Sequence, residues 1–186
     1  MKVTPLDKEY TVSPDLEIYS ETDLRGAVTA VNDGFLEISG YEKSELMGKP
    51  HSIVRHPDMP KVVFKLLWET LNKHEKMSAI VKNLRKNGEY YWVYSEYEPI
   101  LKGEEVVGFK SFRKPVPHSA VAAVESLYGR LLAEESTNGV QSAQNMLEII
   151  LIKQDAKSYK AYVDRLYEKE LKGLFGKFFG KLFGRK

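Results

Sequence analysis

Cysteine is absent from this chain of 186 residues. That one lack removes disulfides, thiolate metal sites, thiol nucleophiles and cysteinyl photoadducts together. Long hydrophobic runs are missing too. No stretch approaches the roughly 18 apolar residues a membrane span needs, and Met1 to Pro14 is polar where a secretory leader would be apolar. The expectation is a soluble cytoplasmic chain whose only membrane contact is peripheral. Charge of one sign is equally scarce: 28 Lys and Arg against 26 Asp and Glu leave +2, which gives no argument for a nucleic-acid partner. No Gly-rich phosphate loop, nucleophile elbow or paired catalytic carboxylates stand out, so the chain does not read as an enzyme.

What is there is an ordinary globular composition, 42% hydrophobic and 29% charged, sufficient for a packed core. The length suits one domain plus an appendage. From Leu16 to Pro115 short β-rich runs alternate with helical stretches, the pattern of an α+β domain. Leu16–Thr22 and Ala27–Val31 flank the turn Asp23-Leu-Arg-Gly26 and read as a hairpin. Asn32 or Asp33 can cap a short helix that ends at Gly40, and Lys43–Met47 gives another turn. Pro60 opens a longer helix with Val63, Phe64, Leu67, Trp68 and Leu71 at helical spacing. Three strands follow, near 77–85, 90–101 and 106–112, joined by Asn87-Gly88 and Gly103-Glu104 as an antiparallel meander. From Ser119 onward the pattern is helical: one helix to Glu135, a break at Asn138-Gly139, and a second from Val140 to about Lys172.

Two strands, short helices, one longer helix and a three-stranded meander is the order of a PAS domain, and specific residues strengthen the match. They are Asn32-Asp33 ahead of Phe35, Ser39-Gly-Tyr41, the unbroken string from Gly48 to Lys61, and Leu67-Trp68. Ile80-Val-Lys-Asn83, Arg85-Lys-Asn-Gly88 and Tyr91-Trp92-Val93 complete the set. With these the stretch from Asn32 to Pro115 resembles the sensory PAS domain of bacterial aerotaxis receptors. The resemblance implies a five-stranded antiparallel sheet with short helices on one side, followed by C-terminal helices. It also implies non-covalent FAD and the reporting of redox state to a membrane-bound chemotaxis transducer. The division expected is an N-terminal segment (1–14), the PAS domain (15–116), a helical partner region (117–168) and a basic tail (169–186).

The resemblance assigns cofactor contact to Asn32, Arg55, His56, Asp58, Trp68, Asn83 and Trp92. Physically, a flavin needs an apolar slot, hydrogen-bonding groups at its pyrimidine edge and cations or N–H groups near its phosphates. The Asn83 carboxamide offers donor and acceptor together, the Arg55 fork suits a diphosphate, and an indole such as Trp68 supplies a flat stacking surface. By residue type alone, Asn32 is a helix cap, Trp68 a core residue, and Arg55 with Asp58 a local bridge. Tyr91 and Trp92 alternate on a strand, so one faces the pocket and the other faces away. Lys76-Met77-Ser78 stands where the family pattern commonly has an aromatic, a departure that loosens the flavin's surroundings. His51, His56, His74 and His118 keep a haem-binding PAS alternative open, beside a cofactor-free interaction module. Light-oxygen-voltage domains share the Asn83 pattern, but their photoadduct needs the cysteine this chain lacks. Flavin reduction would then act by making Asn83 re-aim its amide, tilting its strand and passing the bias to the helices beyond.

In the tail, Leu171, Leu174, Phe175, Phe178, Phe179, Leu182 and Phe183 recur at intervals of three and four, with Lys177 and Lys181 beyond the edge of that stripe. Such a basic, Phe-rich amphipathic stretch suits an anionic membrane surface. Its glycines make it a weak helix in water, each costing about 0.8 to 1 kcal/mol against alanine. A homodimer through the flanking helices fits the same reading.

Overall fold

A computed structural model describes residues 3–169. The elements are β1 (Ile18–Thr22), β2 (Val28–Val31), α1 (Asp33–Ser39), α2 (Lys43–Leu46), a 3-10 turn (His51–Val54), α3 (Lys61–Leu71), β3 (Met77–Leu84), β4 (Tyr90–Lys102), β5 (Glu105–Pro115), α4 (His118–Asn138) and α5 (Val140–Lys153). A further helical run, α6, covers 159–169. The strands form one sheet in the order β2-β1-β5-β4-β3, with every pair antiparallel. The five-stranded α+β architecture expected from the sequence is what is found.

Local chemistry sets the boundaries. Asp23 Oδ1 accepts the N–H groups of Arg25 and Ala27, 2.9 Å each, and closes the first hairpin. Asn32 caps α1 by accepting the Phe35 N–H at 3.0 Å, and Gly40, at φ 71°, ends it in the left-handed region. Glu135 of α4 reaches across to cap α3, accepting the N–H groups of Lys61 (3.0 Å) and Val62 (2.7 Å). The chain segment before β1 is laid along the β3–β4 hairpin: the Leu6 N–H donates to Gly88 O and the Tyr10 N–H to Tyr90 O.

The expected single helix from Val140 to Lys172 is corrected. It divides at 154–158, because α5 ends in a Schellman motif: Asp155 sits at φ 50°, the Ala156 N–H donates to Leu151 O and the Asp155 N–H to Ile152 O. Ser158 then starts α6 by accepting the Ala161 N–H at 3.1 Å. The amphipathic tail of 169–186 lies outside the described residues except for Lys169. No helix among the described residues is long and apolar enough to cross a membrane.

The sheet is covered on both faces. α1, α2, the 3-10 turn and α3 lie on one, burying Phe35, Ile38, Leu46, Val63 and Leu67. α4 and α6 lie on the other, where Tyr128 of α4 stacks on Trp92 at 6.3 Å and Tyr167 of α6 stacks on Tyr94 at 4.0 Å. α5 packs against α4 and α3.

Candidate functional site

Between α3 and the sheet lies a cavity of about 280 Å³, just below the roughly 300–1,000 Å³ of ligand pockets. A fused ring fits such a space, and any long appendage must leave through the opening. Phe64, Leu67, Trp68 and Leu71 of α3 form one wall, with Val81 and Phe109 opposite. Trp68 meets Phe109 edge-on at 5.5 Å and leans over Gly26, where an added Cβ would come within 3.1 Å of the indole. Arg25, Pro50 and Ser52 are exposed lining residues and mark the opening.

Strand pairing decides which polar groups face this space. Residues directly opposite one another share a face, and Asn83 pairs with Tyr91, Ser95 with Arg113, and Tyr97 with Ser111. The inward face therefore carries Asn83, Tyr91, Ser95, Tyr97, Ser111 and Arg113. Lys82, Tyr90, Trp92 and Tyr94 belong to the other face. Arg55 joins by the same rule: it forms an isolated antiparallel bridge with Asn83, so it turns toward the cavity while the neighbouring His56 turns away. The Arg55 guanidinium lies 4.0 Å over the Phe64 ring and donates to Met59 O at 2.9 Å.

The deep end is polar and short of partners. Arg113 is 3% exposed. Its Nη2 donates to Ser20 Oγ at 3.0 Å and to His51 Nε2 at 2.9 Å, while Nη1 is buried with no hydrogen-bond partner. The Ser111 hydroxyl is likewise buried and unpartnered. The hydroxyls of Ser95 and Tyr91 lie beside Tyr97 and Asn83 without closing a hydrogen bond of ordinary geometry. Since an arginine N–H only donates, His51 Nε2 must hold a lone pair, and the imidazole is the neutral tautomer with its proton on Nδ1. Burial, and then the Arg113 charge, push the His51 pKa down to about 3; the ring surface it still exposes faces the cavity it lines. Burial also lowers the Arg113 pKa and drives the Tyr91 hydroxyl up to about 12.

Of the seven residues expected to touch a cofactor, Arg55, Trp68 and Asn83 line the cavity. The other four are elsewhere. Asn32 is committed to the backbone: besides capping α1, its Oδ1 accepts the Tyr19 N–H and its Nδ2 donates to Glu17 O. His56 Nδ1 accepts the Asp58 N–H at 3.1 Å, and Asp58 pairs with Lys82 at 2.7 Å beside the β3 edge. Trp92 lies under Tyr128 on the outer face. Sequence reasoning gave Arg113 and Ser111 no role and considered His51 only for haem. Of the four histidines, His51 is the one that lines the cavity.

Residues 28–112 match the family described as the PAS fold, and this part of the chain is a PAS domain. The chain is 43% identical over 129 residues to the aerotaxis receptor of Escherichia coli, covering 69% of this chain and 26% of that protein. It is 30% identical over 145 residues to the biofilm dispersion protein BdlA of Pseudomonas aeruginosa, covering 69% of this chain and 34% of that one. The chain thus spans about a quarter of the first of these relatives and about a third of the second. Among solved structures, a light-oxygen-voltage domain studied with a flavin analogue shares the fold at a TM-score of 0.54 and 20% identity, covering 58% of this chain and 83% of that one.

Proposed function

We propose that the PAS domain holds FAD non-covalently and serves as a redox sensor for energy taxis, passing its state to a membrane-bound chemotaxis transducer. The observation that carries this reading is a ring-sized cavity with apolar walls that is lined by Asn83 and also by Ser111 and Arg113, whose hydroxyl and Nη1 the protein itself leaves unmatched. Unmatched buried polar groups call for a ligand or a special role. Bound there, a flavin supplies reversible storage of electrons. The chain's residues do the rest: Asn83 presents donor and acceptor to the pyrimidine edge, Trp68 offers its indole to the ring, and Arg25 at the opening and Arg55 on the cavity wall attract the diphosphate. Sequence similarity to an aerotaxis receptor supports the output. β5 supports the route, since it carries Ser111 and Arg113 and leads through Pro115 and Pro117 into α4. The tail of 169–186 belongs to the same reading as a contact with anionic membrane, which co-sedimentation with liposomes tests against a chain ended at residue 168.

The test is the visible spectrum of purified protein, as isolated and after incubation with FAD followed by gel filtration. Flavin bands travelling with the protein, and their loss in Asn83→Ala, are expected. Protein colourless in both samples overturns the reading, and a Soret band would replace it with haem.

A further inference from the structure

Arg113 is the least compensated group in the described residues. Taking a guanidinium out of water is costly unless a counter-charge or a full set of acceptors meets it. Here a neutral imidazole, a serine hydroxyl and the Phe35 ring, 5.1 Å from the guanidinium carbon, are what it meets. No carboxylate pairs with it among the described residues, and Nη1 has no acceptor. His51 cannot become a counter-ion, because protonating it would set two cations 2.9 Å apart. A site that keeps a buried positive charge and denies it a protein anion is prepared for an anion from outside.

We infer that Arg113, held in place by Ser20 and the neutral His51, is the seat for negative charge on the ring bound in this cavity, so that the site prefers the reduced, anionic form of its ligand. The inference rests on the flavin reading and adds to it the direction in which the site biases the redox couple. The balance is simple. Two electrons from a reductant and one proton from solvent convert the neutral oxidised ring into a reduced ring carrying one negative charge, spread over the pyrimidine edge. Arg113 stabilises that charge without giving up a proton. Asn83 recognises the edge in both states, whereas the contribution of Arg113 grows with charge. Because Arg113 stands five residues before the start of α4, a stronger pull on its side chain bears on the strand that leads to the output helices.

The test uses FAD-loaded protein and measures the midpoint potential by equilibration with reference dyes, with dithionite as reductant, for the wild type, Arg113→Gln and Arg113→Lys. Loss of the charge is expected to reduce the preference for reduced over oxidised FAD about 100-fold, a fall of about 60 mV for a two-electron couple. Lysine should retain part of it. Arg113→Gln that binds oxidised FAD and keeps the wild-type potential overturns the inference while leaving the flavin reading intact. Wild-type protein that binds no FAD overturns both. Should Arg113→Gln not fold, the wild type decides alone through its proton count. The titratable groups facing Arg113 are His51, Tyr91 and Tyr97, and none of them changes charge between pH 5 and 8 in the folded protein. An anionic reduced ring then takes up one proton per two electrons, about 30 mV per pH unit across that range. A slope of about 60 mV per pH unit at its acid end that persists in His51→Gln means a neutral reduced ring and refutes the seat.

Discussion

The two faces of the sheet are built from the same three strands and obey opposite rules. On the outer face the polar atoms are answered. Tyr128 donates to Ile80 O at 2.6 Å, so its hydrogen bond with Tyr159 must have Tyr159 as donor. Tyr94 reaches Asp164 of α6 at 2.8 Å and Ser78 at 3.2 Å. On the inner face a buried guanidinium nitrogen and the Ser111 hydroxyl go unanswered. Folding alone favours the first arrangement. The difference teaches that the outer face is made for adhesion between layers and the inner face for a ligand, and each part of that contrast can be broken by experiment.

The largest expected effect tests whether the outer layer is integral. Leu131 of α4 is fully buried, and Leu131→Ala should cost about 2–5 kcal/mol by lost transfer and cavity formation. The two tryptophans report the faces separately, Trp68 at the cavity and Trp92 beneath Tyr128. In single-tryptophan backgrounds, urea unfolding should shift to lower midpoint by the same amount for both probes, in coincident transitions. A shift confined to Trp92 would mean that α4 to α6 is a separable appendage.

The next effect belongs to the inner face. A histidine titrates near 6.5 when unfolded, while His51 in the folded protein is held down to about 3. Between these values the unfolded chain binds a proton that the folded chain refuses, so stability is greatest above pH 6.5 and falls as pH drops toward 3. One such group contributes up to about 1.4 kcal/mol per pH unit. Urea stability measured from pH 7 to 4 should therefore fall less steeply in His51→Gln than in the wild type. Parallel slopes would show that His51 accepts a proton in place and would weaken the case for a fixed, neutral partner of Arg113.

Much of the fold was legible in the sequence because its punctuation is local. Asp23, Asn32, Gly40, Pro60 and Asn87-Gly88 each act within a few residues, and each stands where its chemistry predicts. The missed break at 154–158 was local as well. Ser158 is an ordinary cap residue, but the left-handed turn at Asp155 has no glycine to announce it. The site was less legible because it depends on strand parity. Lys102 pairs with Glu105 across the Gly103-Glu104 turn, and extending that register would oppose Ser95 to Phe112, turning Phe112 inward and Arg113 outward. The register shift between Ile100 and Leu101 reverses this. The result is Phe112 42% exposed and Arg113 3% exposed, an exchange no pattern of residue types reveals. Trp92 and His56 went astray for a related reason: adjacency in sequence to Tyr91 and Arg55 places them on the opposite face.

The smallest effect is the sharpest comparison, because it sets one hydroxyl against another. Tyr94→Phe removes an oxygen that bonds Asp164 and Ser78 and leaves the Asp164 carboxylate one donor short, although Lys160 still reaches it at 2.5 Å. A net hydrogen bond contributes about 0.5–1.5 kcal/mol, more when one partner is charged, so a loss of about 1–2 kcal/mol is expected. Ser111→Ala removes a hydroxyl with no partner; relief from burying it offsets the small loss of volume, and the ligand-free protein should change by less than about 0.5 kcal/mol in either direction. Chemical denaturation of the two variants beside the wild type reads both numbers. Equal losses would mean that water already satisfies the inner face and that its open valences are not held for a ligand. A clear inequality, with FAD binding weakened only in Ser111→Ala, would assign adhesion to one face and recognition to the other.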